Sequence, residues 1–311
     1  MRQITLCFTL FFALQIQTFA QAPNPISKDT KQILFLGNSI TYSGEYLAYV
    51  ETVYRLNHPD RKLDWINLGL PSETVSGLSE EGHAGGAFLR PDLHERLDRI
   101  FEQIQPELVF VNYGMNDGIY LPFDSARFNN YADGMSWLNS KIQAIKAKAV
   151  FLTPPIYDPI KGKAYSETLD QYSTWLIDQE KESGWKIIDI HFPMKTYLEA
   201  QRRVEPEFYL AKDGVHPNST GHWLMAKPIL EFLGLGEIDS KTTFEELIST
   251  YPNGMELFIL ISQKQKILRD AYLSATGHLR PGIAEGLPLL EAKKQVLALE
   301  NQILHLLVRD T

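Results

Sequence analysis

Two short stretches carry side chains that can act on each other. Gly37-Asn38-Ser39-Ile40-Thr41 sets a serine just past an apolar run. A serine at a strand-to-helix turn presents its hydroxyl at the end of a sheet; the plainer account makes Ser39 or Thr41 an N-cap of the next helix. Asp213-Gly214-Val215-His216-Pro217 holds a carboxylate and an imidazole in one short loop. A bare serine is a poor nucleophile and needs a base to take its proton and a carboxylate to orient that base. The D-x-x-H spacing supplies both, although a turn aspartate beside a surface histidine has the same spelling. Two further stretches, Asn67-Leu68-Gly69-Leu70-Pro71-Ser72-Glu73-Thr74 and Gly114-Met115-Asn116-Asp117, are built from residues that favour tight turns.

These stretches need a scaffold. Ile33–Leu36, Trp65–Leu68, Leu108–Val111, Ala149–Leu152 and Lys186–Ile190 are short apolar runs bounded by Gly or Pro, the pattern of buried strands. Helical patterns lie between them over Tyr46–Tyr54, Leu93–Ile104, Met135–Ile145 and Leu169–Glu182. Strands alternating with helices predict an α/β fold, a flavodoxin-like doubly wound sheet of five parallel strands. Sites in such sheets lie at the carboxyl ends of strands, where the four stretches fall. The domain runs over 31–235. Beyond it, 236–311 reads as a C-terminal helical appendage: Phe244–Thr250, Met255–Ala275 and Leu289–Val308.

Four blocks in this order resemble the SGNH (GDSL-like) hydrolases, and more narrowly secreted bacterial carbohydrate acetylesterases. The resemblance covers about residues 31–232. The serine block is usually G-D-S, and here Asn38 replaces the Asp. It is not the G-x-S-x-G elbow of another hydrolase class. By this resemblance Ser39 is the nucleophile, and Asp213 and His216 complete its triad. The Asn116 side chain and the backbone N–H groups of Ser39 and Ser72 form the oxyanion hole. Ser72 stands where the family has Gly, and Gly69 is the fallback donor. The implied chemistry is acyl transfer without metal or organic cofactor.

Other residues are less specific. Glu81–Phe88 is a candidate rim with His83, Gly85 and Gly86, to which Gly69 and Asp117 are added; a surface loop is the plainer account. Tyr113, Tyr120 and Tyr157 could form a sugar platform or simply pack. His222 is expected to cap or pack near the triad loop. Arg269, Asp270, His278 and Arg280 fit ion pairs between helices, or a loop at 277–282 that reaches an active site. No histidine spacing fits a zinc site.

The net charge of −8, with no Lys/Arg-rich stretch, argues against a nucleic-acid or anionic-membrane partner. Arg2, the apolar Ile4–Leu14 and Thr18-Phe19-Ala20 read as a cleaved signal peptide over 1–20, with a linker at 21–30 and no membrane association after cleavage. The single cysteine, Cys7, falls in that signal, so the mature chain has no thiol. The sequence thus predicts an exported, periplasmic or secreted serine esterase. Its substrate is a small acyl ester, acetyl on a carbohydrate; alternatives are a lipase or thioesterase of the same family, or a non-catalytic glycan-binding protein. Leu290, Leu297, Ile303 and Leu307 offer a helix face for a homo-oligomer.

Overall fold

The computed structural model describes residues 26–308 except 237, 240 and 241. In chain order the elements begin β1 (Gln32–Gly37), α1 (Ser39–Ser43), α2 (Glu45–Asn57) and β2 (Asp64–Asn67). Next come two 3-10 turns (His83–Gly86 and Leu93–Glu95), α3 (Leu97–Gln103), β3 (Leu108–Asn112), α4 (Ser125–Ala144) and β4 (Lys148–Leu152). Then follow α5 (Lys163–Glu182), β5 (Lys186–Ile188), α6 (His191–Arg202) and α7 (Ser219–Phe232). The appendage is α8 (Phe244–Ser249), α9 (Gly254–Thr276) and α10 (Leu289–Val308). The signal peptide and the first half of the expected linker lie outside the described residues.

The five strands are parallel in the order β2-β1-β3-β4-β5. This is a flavodoxin-like order, with its switch point between β1 and β3. Alternate β1 side chains enter opposite layers. Ile33 and Phe35 join the core under α2 and α7, while Leu34 and Leu36 join the one under α3 and α4. Sheets covered on both faces lose alternation and read as continuous apolar runs, hence the runs in the sequence.

Several boundaries differ from expectation. The predicted Leu93–Ile104 helix is a 3-10 turn followed by α3. Helix α4 starts ahead of Met135, at Ser125, because the Asp124 side chain caps the Arg127 N–H at 2.9 Å. The expected linker does not end free: Ile26 and Thr30 are buried, and Arg61 donates to the Ser27 and Lys28 carbonyls.

The appendage shares the core of the domain. Leu257, Ile261, Ile303 and Leu307 pack with Ala48 of α2, while Tyr272 and Leu273 join the sheet layer. Beside them lies a charged knot. Lys264 pairs with the fully buried Glu51 and, at 3.2 Å, with Glu300, which also accepts from Arg55 at 3.0 Å. Half of the expected oligomer face is therefore used within the chain, since Ile303 and Leu307 are buried while Leu290 and Leu297 remain exposed.

Candidate active site

Strand β1 ends at Gly37, where a Cβ would collide with Thr41 and the Asn112 carbonyl, so the chain can turn there only without a side chain. The cap of α1 is then Asn38, whose Oδ1 accepts the Ile40 N–H at 3.0 Å. Ser39 is released from capping duty, which removes the plainer account of this serine. Its Oγ lies 2.9 Å from His216 Nε2. His216 Nδ1 lies 2.6 Å from Asp213 Oδ2, and Asp213 Oδ1 accepts the Val215 and His216 N–H groups at 2.9 and 2.8 Å. Partial burial pushes the Asp213 carboxyl up, but the His216 ring and the two N–H donors outweigh it and hold it below its ordinary value. A carboxylate, an imidazole and a hydroxyl thus stand in one hydrogen-bonded line, the arrangement in which a serine loses its proton to a base. The site is open: the His216 and Asp213 side chains are 53% and 55% exposed.

The loop after β2 turns at Leu70-Pro71-Ser72-Glu73, closed by the Glu73 N–H on the Leu70 carbonyl at 3.1 Å. Ser72 has φ 70°, left-handed backbone that glycine adopts without strain. Among the described residues no acceptor meets the Ser39 or Ser72 N–H. Gly69 is different: its N–H is taken by Asn67 Oδ1 at 2.9 Å, and the residue is buried against Thr41 and Tyr42. The geometry therefore corrects Gly69 both as fallback donor and as rim residue.

Asn116 is buried, gives one N–H to the Glu73 carbonyl at 3.0 Å and accepts the Tyr120 hydroxyl at 2.8 Å. An amide nitrogen carries two N–H donors, so one remains. Asp117 is not on the rim. It is fully buried, accepts the Val75, Ser76 and Gly114 N–H groups, and is lifted above its ordinary value by that burial. It clamps the two loops together.

Three residues that sequence reasoning passed over hold this wall. Arg96 and Glu73 are fully buried and joined by two hydrogen bonds of 2.6 and 2.7 Å. Tyr113 donates to the same carboxylate at 2.5 Å, so this tyrosine is a support and no platform. Arg90 grips Glu80 at 2.6 and 2.7 Å, reaches the Ser72 carbonyl at 3.5 Å and lies over the Tyr120 ring. Burial would raise Glu80, but these Arg90 bonds hold it at about 2. His83 meets Glu80 at 3.1 Å, which ties the exposed Gly85 and Gly86 turn to the Ser72 loop through Arg90. Tyr120 and Tyr157 stand 5.9 Å apart near the Asp213–His216 loop, and a Cβ on Gly214 would touch Tyr157.

His222 lies behind α1, the helix that begins with Ser39. It stacks on Tyr46, and its Nε2 is 3.3 Å from Ser43 Oγ and 4.0 Å from Glu45. Burial pushes it down to about 4. Arg269 pairs with Asp270, donates to the Tyr42 carbonyl at 2.7 Å and covers the Tyr42 ring, so the appendage braces α1. In the 277–282 loop, Arg280 lies over Phe88 of the rim segment.

A model of the GDSL-like lipase/acylhydrolase family matches residues 35–224. An acetylxylan esterase of Geobacillus stearothermophilus is 24% identical over 237 residues, covering 68% of this chain and 97% of that protein. The crystal structure of an acetylxylan esterase from the same organism superposes with a TM-score of 0.51 at 22% identity, covering 66% of this chain and 94% of the other. A gut microbial diltiazem-metabolizing enzyme superposes with a TM-score of 0.57 at 22% identity; 67% of this chain is covered but only 48% of that one. Matched over most of its α/β domain, this chain belongs to the GDSL-like lipase/acylhydrolase family and is a carboxylic ester hydrolase.

Proposed function

We propose that the protein is an exported esterase that removes acetyl groups from a xylan-type carbohydrate, with Ser39, His216 and Asp213 as its catalytic triad. The observation that carries this reading is the hydrogen-bonded line from Ser39 to Asp213 with both its His and its Asp more than half exposed. An open triad admits a short acyl group on a bulky, solvated alcohol. The similarity to an acetylxylan esterase points to the same class. The signal-like first 20 residues support export.

In this mechanism His216 takes the Ser39 proton, and Oγ attacks the ester carbonyl. The N–H groups of Ser39 and Ser72 and the free N–H of Asn116 receive the negative charge on the former carbonyl oxygen. His216 returns the proton to the sugar oxygen as the C–O bond breaks. Water, deprotonated by His216, then releases acetate and restores Ser39.

The test is hydrolysis of p-nitrophenyl acetate, butyrate and octanoate and of acetylated xylo-oligosaccharides, with Ser39→Ala and His216→Ala as controls. Turnover that falls with acyl length and is lost in both variants is expected. A preference for octanoate would overturn the small-acyl reading, and full activity in Ser39→Ala would overturn the triad.

A further inference from the structure

Asn116 is held at both ends of its side-chain amide. Nδ2 gives one N–H to the Glu73 carbonyl at 3.0 Å, and Oδ1 accepts the Tyr120 hydroxyl at 2.8 Å. The orientation is forced, because a carbonyl can only accept and so must face the NH2 group. Tyr120 is therefore the donor in its own bond. An amide tied at one end can still swing about its broad terminal torsion. Tied at both ends it has one plane, and its second N–H has one direction.

The chain holds Tyr120 in place against its own backbone preference. Ile119 and Tyr120 lie at φ 46° and 57°, two successive residues with a Cβ in the left-handed region. For a β-branched residue such as Ile119 that backbone is an outlier. Such strain persists only where the surroundings impose it, and it gathers at functional sites. Here the turn is closed by the Ile119 N–H on the Asn116 carbonyl at 3.0 Å and the Leu121 N–H on the Gly118 carbonyl at 3.2 Å. Tyr165 donates to the Met115 carbonyl at 2.6 Å, and its ring leaves no room for a Cβ on Gly118.

The Tyr120 ring also meets residues bound to the two other loops of the site. Arg90, whose Nη1 is 3.5 Å from the Ser72 carbonyl, lies 5.2 Å from the ring centroid. The Tyr157 ring is 5.9 Å away and comes within 3.3 Å of where a Gly214 Cβ would sit, in the loop that carries Asp213 and His216. Burial pushes the Tyr120 hydroxyl up to about 12, and the Asp213 carboxylate adds to this, so it keeps its proton at neutral pH.

We infer that Tyr120 is a positioning residue for ester cleavage: its hydroxyl fixes the plane of the Asn116 amide, so that the second N–H is directed at the oxyanion. The inference rests on the oxyanion role proposed for Asn116 and deepens it.

The test measures kcat and KM on p-nitrophenyl acetate for the wild type, Tyr120→Phe, Asn116→Ala and the double variant, with melting temperatures recorded for each. Tyr120→Phe should lower kcat about tenfold, with KM nearly unchanged. In the Asn116→Ala background the same change should cost nothing more, since its effect runs through Asn116. A wild-type kcat in Tyr120→Phe, or an equal loss in both backgrounds, would overturn the inference and leave the esterase reading intact. Asn116→Ala at the wild-type rate would instead remove the oxyanion role of Asn116, and this inference with it. If no ester is cleaved, the esterase reading fails by itself, and hydrogen exchange of the Asn116 side-chain amide, followed by NMR, decides the positioning. Exchange that quickens about fivefold in Tyr120→Phe upholds it, and unchanged exchange sinks it.

Discussion

Asn116 donates one amide N–H to the Glu73 carbonyl, so the loops that follow β2 and β3 are locked to each other by the side chain proposed as an oxyanion donor. Replacing Asn116 by Ala removes both the proposed oxyanion donor and this lock. Loss of one such donor costs about 3–4 kcal/mol of transition-state stabilisation, or 10²–10³ in kcat. Steady-state kinetics on p-nitrophenyl acetate should show this fall in kcat with a smaller change in KM. A drop confined to KM would show that Asn116 only shapes the cleft.

The Arg96–Glu73 pair should be worth most to stability when one half is taken away. Arg96→Met leaves a fully buried carboxylate with only Tyr113 as side-chain partner. Breaking a buried pair in this way costs about 3–5 kcal/mol. Urea unfolding reads it directly, and the companion change Glu73→Leu in the same chain should recover part of the loss. An Arg96→Met protein as stable as the wild type would show that the pair is not what holds the loop.

Ser72 stores strain in its left-handed backbone, which costs a residue with a Cβ about 1–2 kcal/mol. Ser72→Gly relieves this and gives back part of it as unfolded-chain entropy, about 0.5–1 kcal/mol. A net gain of about 0.5–1 kcal/mol is expected in urea unfolding, with the backbone N–H still present. A destabilised Ser72→Gly would mean that the hydroxyl makes up for the strain.

His222 links stability to pH. Its folded value of about 4 lies below the ordinary value of 6.5, because burial disfavours the cation. Between those two pH values the unfolded chain binds more protons than the folded one, so stability rises with pH across that window. At about 1.4 kcal/mol for each pH unit of difference, the protein should lose about 3 kcal/mol as pH falls from 7 to 4 through this group alone. His222→Phe, which keeps an aromatic ring for Tyr46, should flatten the curve. Identical slopes for the variant and the wild type would exclude His222 as the cause.

The meeting of Ser39, His216 and Asp213 was legible because its parts are short and local: a serine at a strand end, and a carboxylate and imidazole in one loop. The fold was legible for a related reason, since strands buried on both faces leave unbroken apolar runs. What escaped was charge inside the protein. Arg96 stands three residues after Leu93 and four before Ile100, and so falls on the inward stripe of that segment. The same holds for Glu51 beside Leu47 in α2. Each looks like an interruption of an apolar face until its partner, far away in sequence, is known. Helix α4 hid its start for the opposite reason: its fully buried residues begin only at Tyr131, and Phe128 is the one large apolar residue of the first turns. Gly69 and Asp117 were misplaced because turn residues at a strand exit look alike whether they face substrate or each other.

Arg269 grips the Tyr42 carbonyl from α9 while Ala48 of α2 is covered by α9 and α10. The C-terminal helices are thus no cartridge that recombination or engineering could swap between relatives. A chimera that ends after α7 would lose the clamp on the helix that starts at Ser39 and uncover the apolar flank beside it. Any exchange of this segment would have to carry matching changes in α1 and α2, so the two ends of the chain are bound to evolve together.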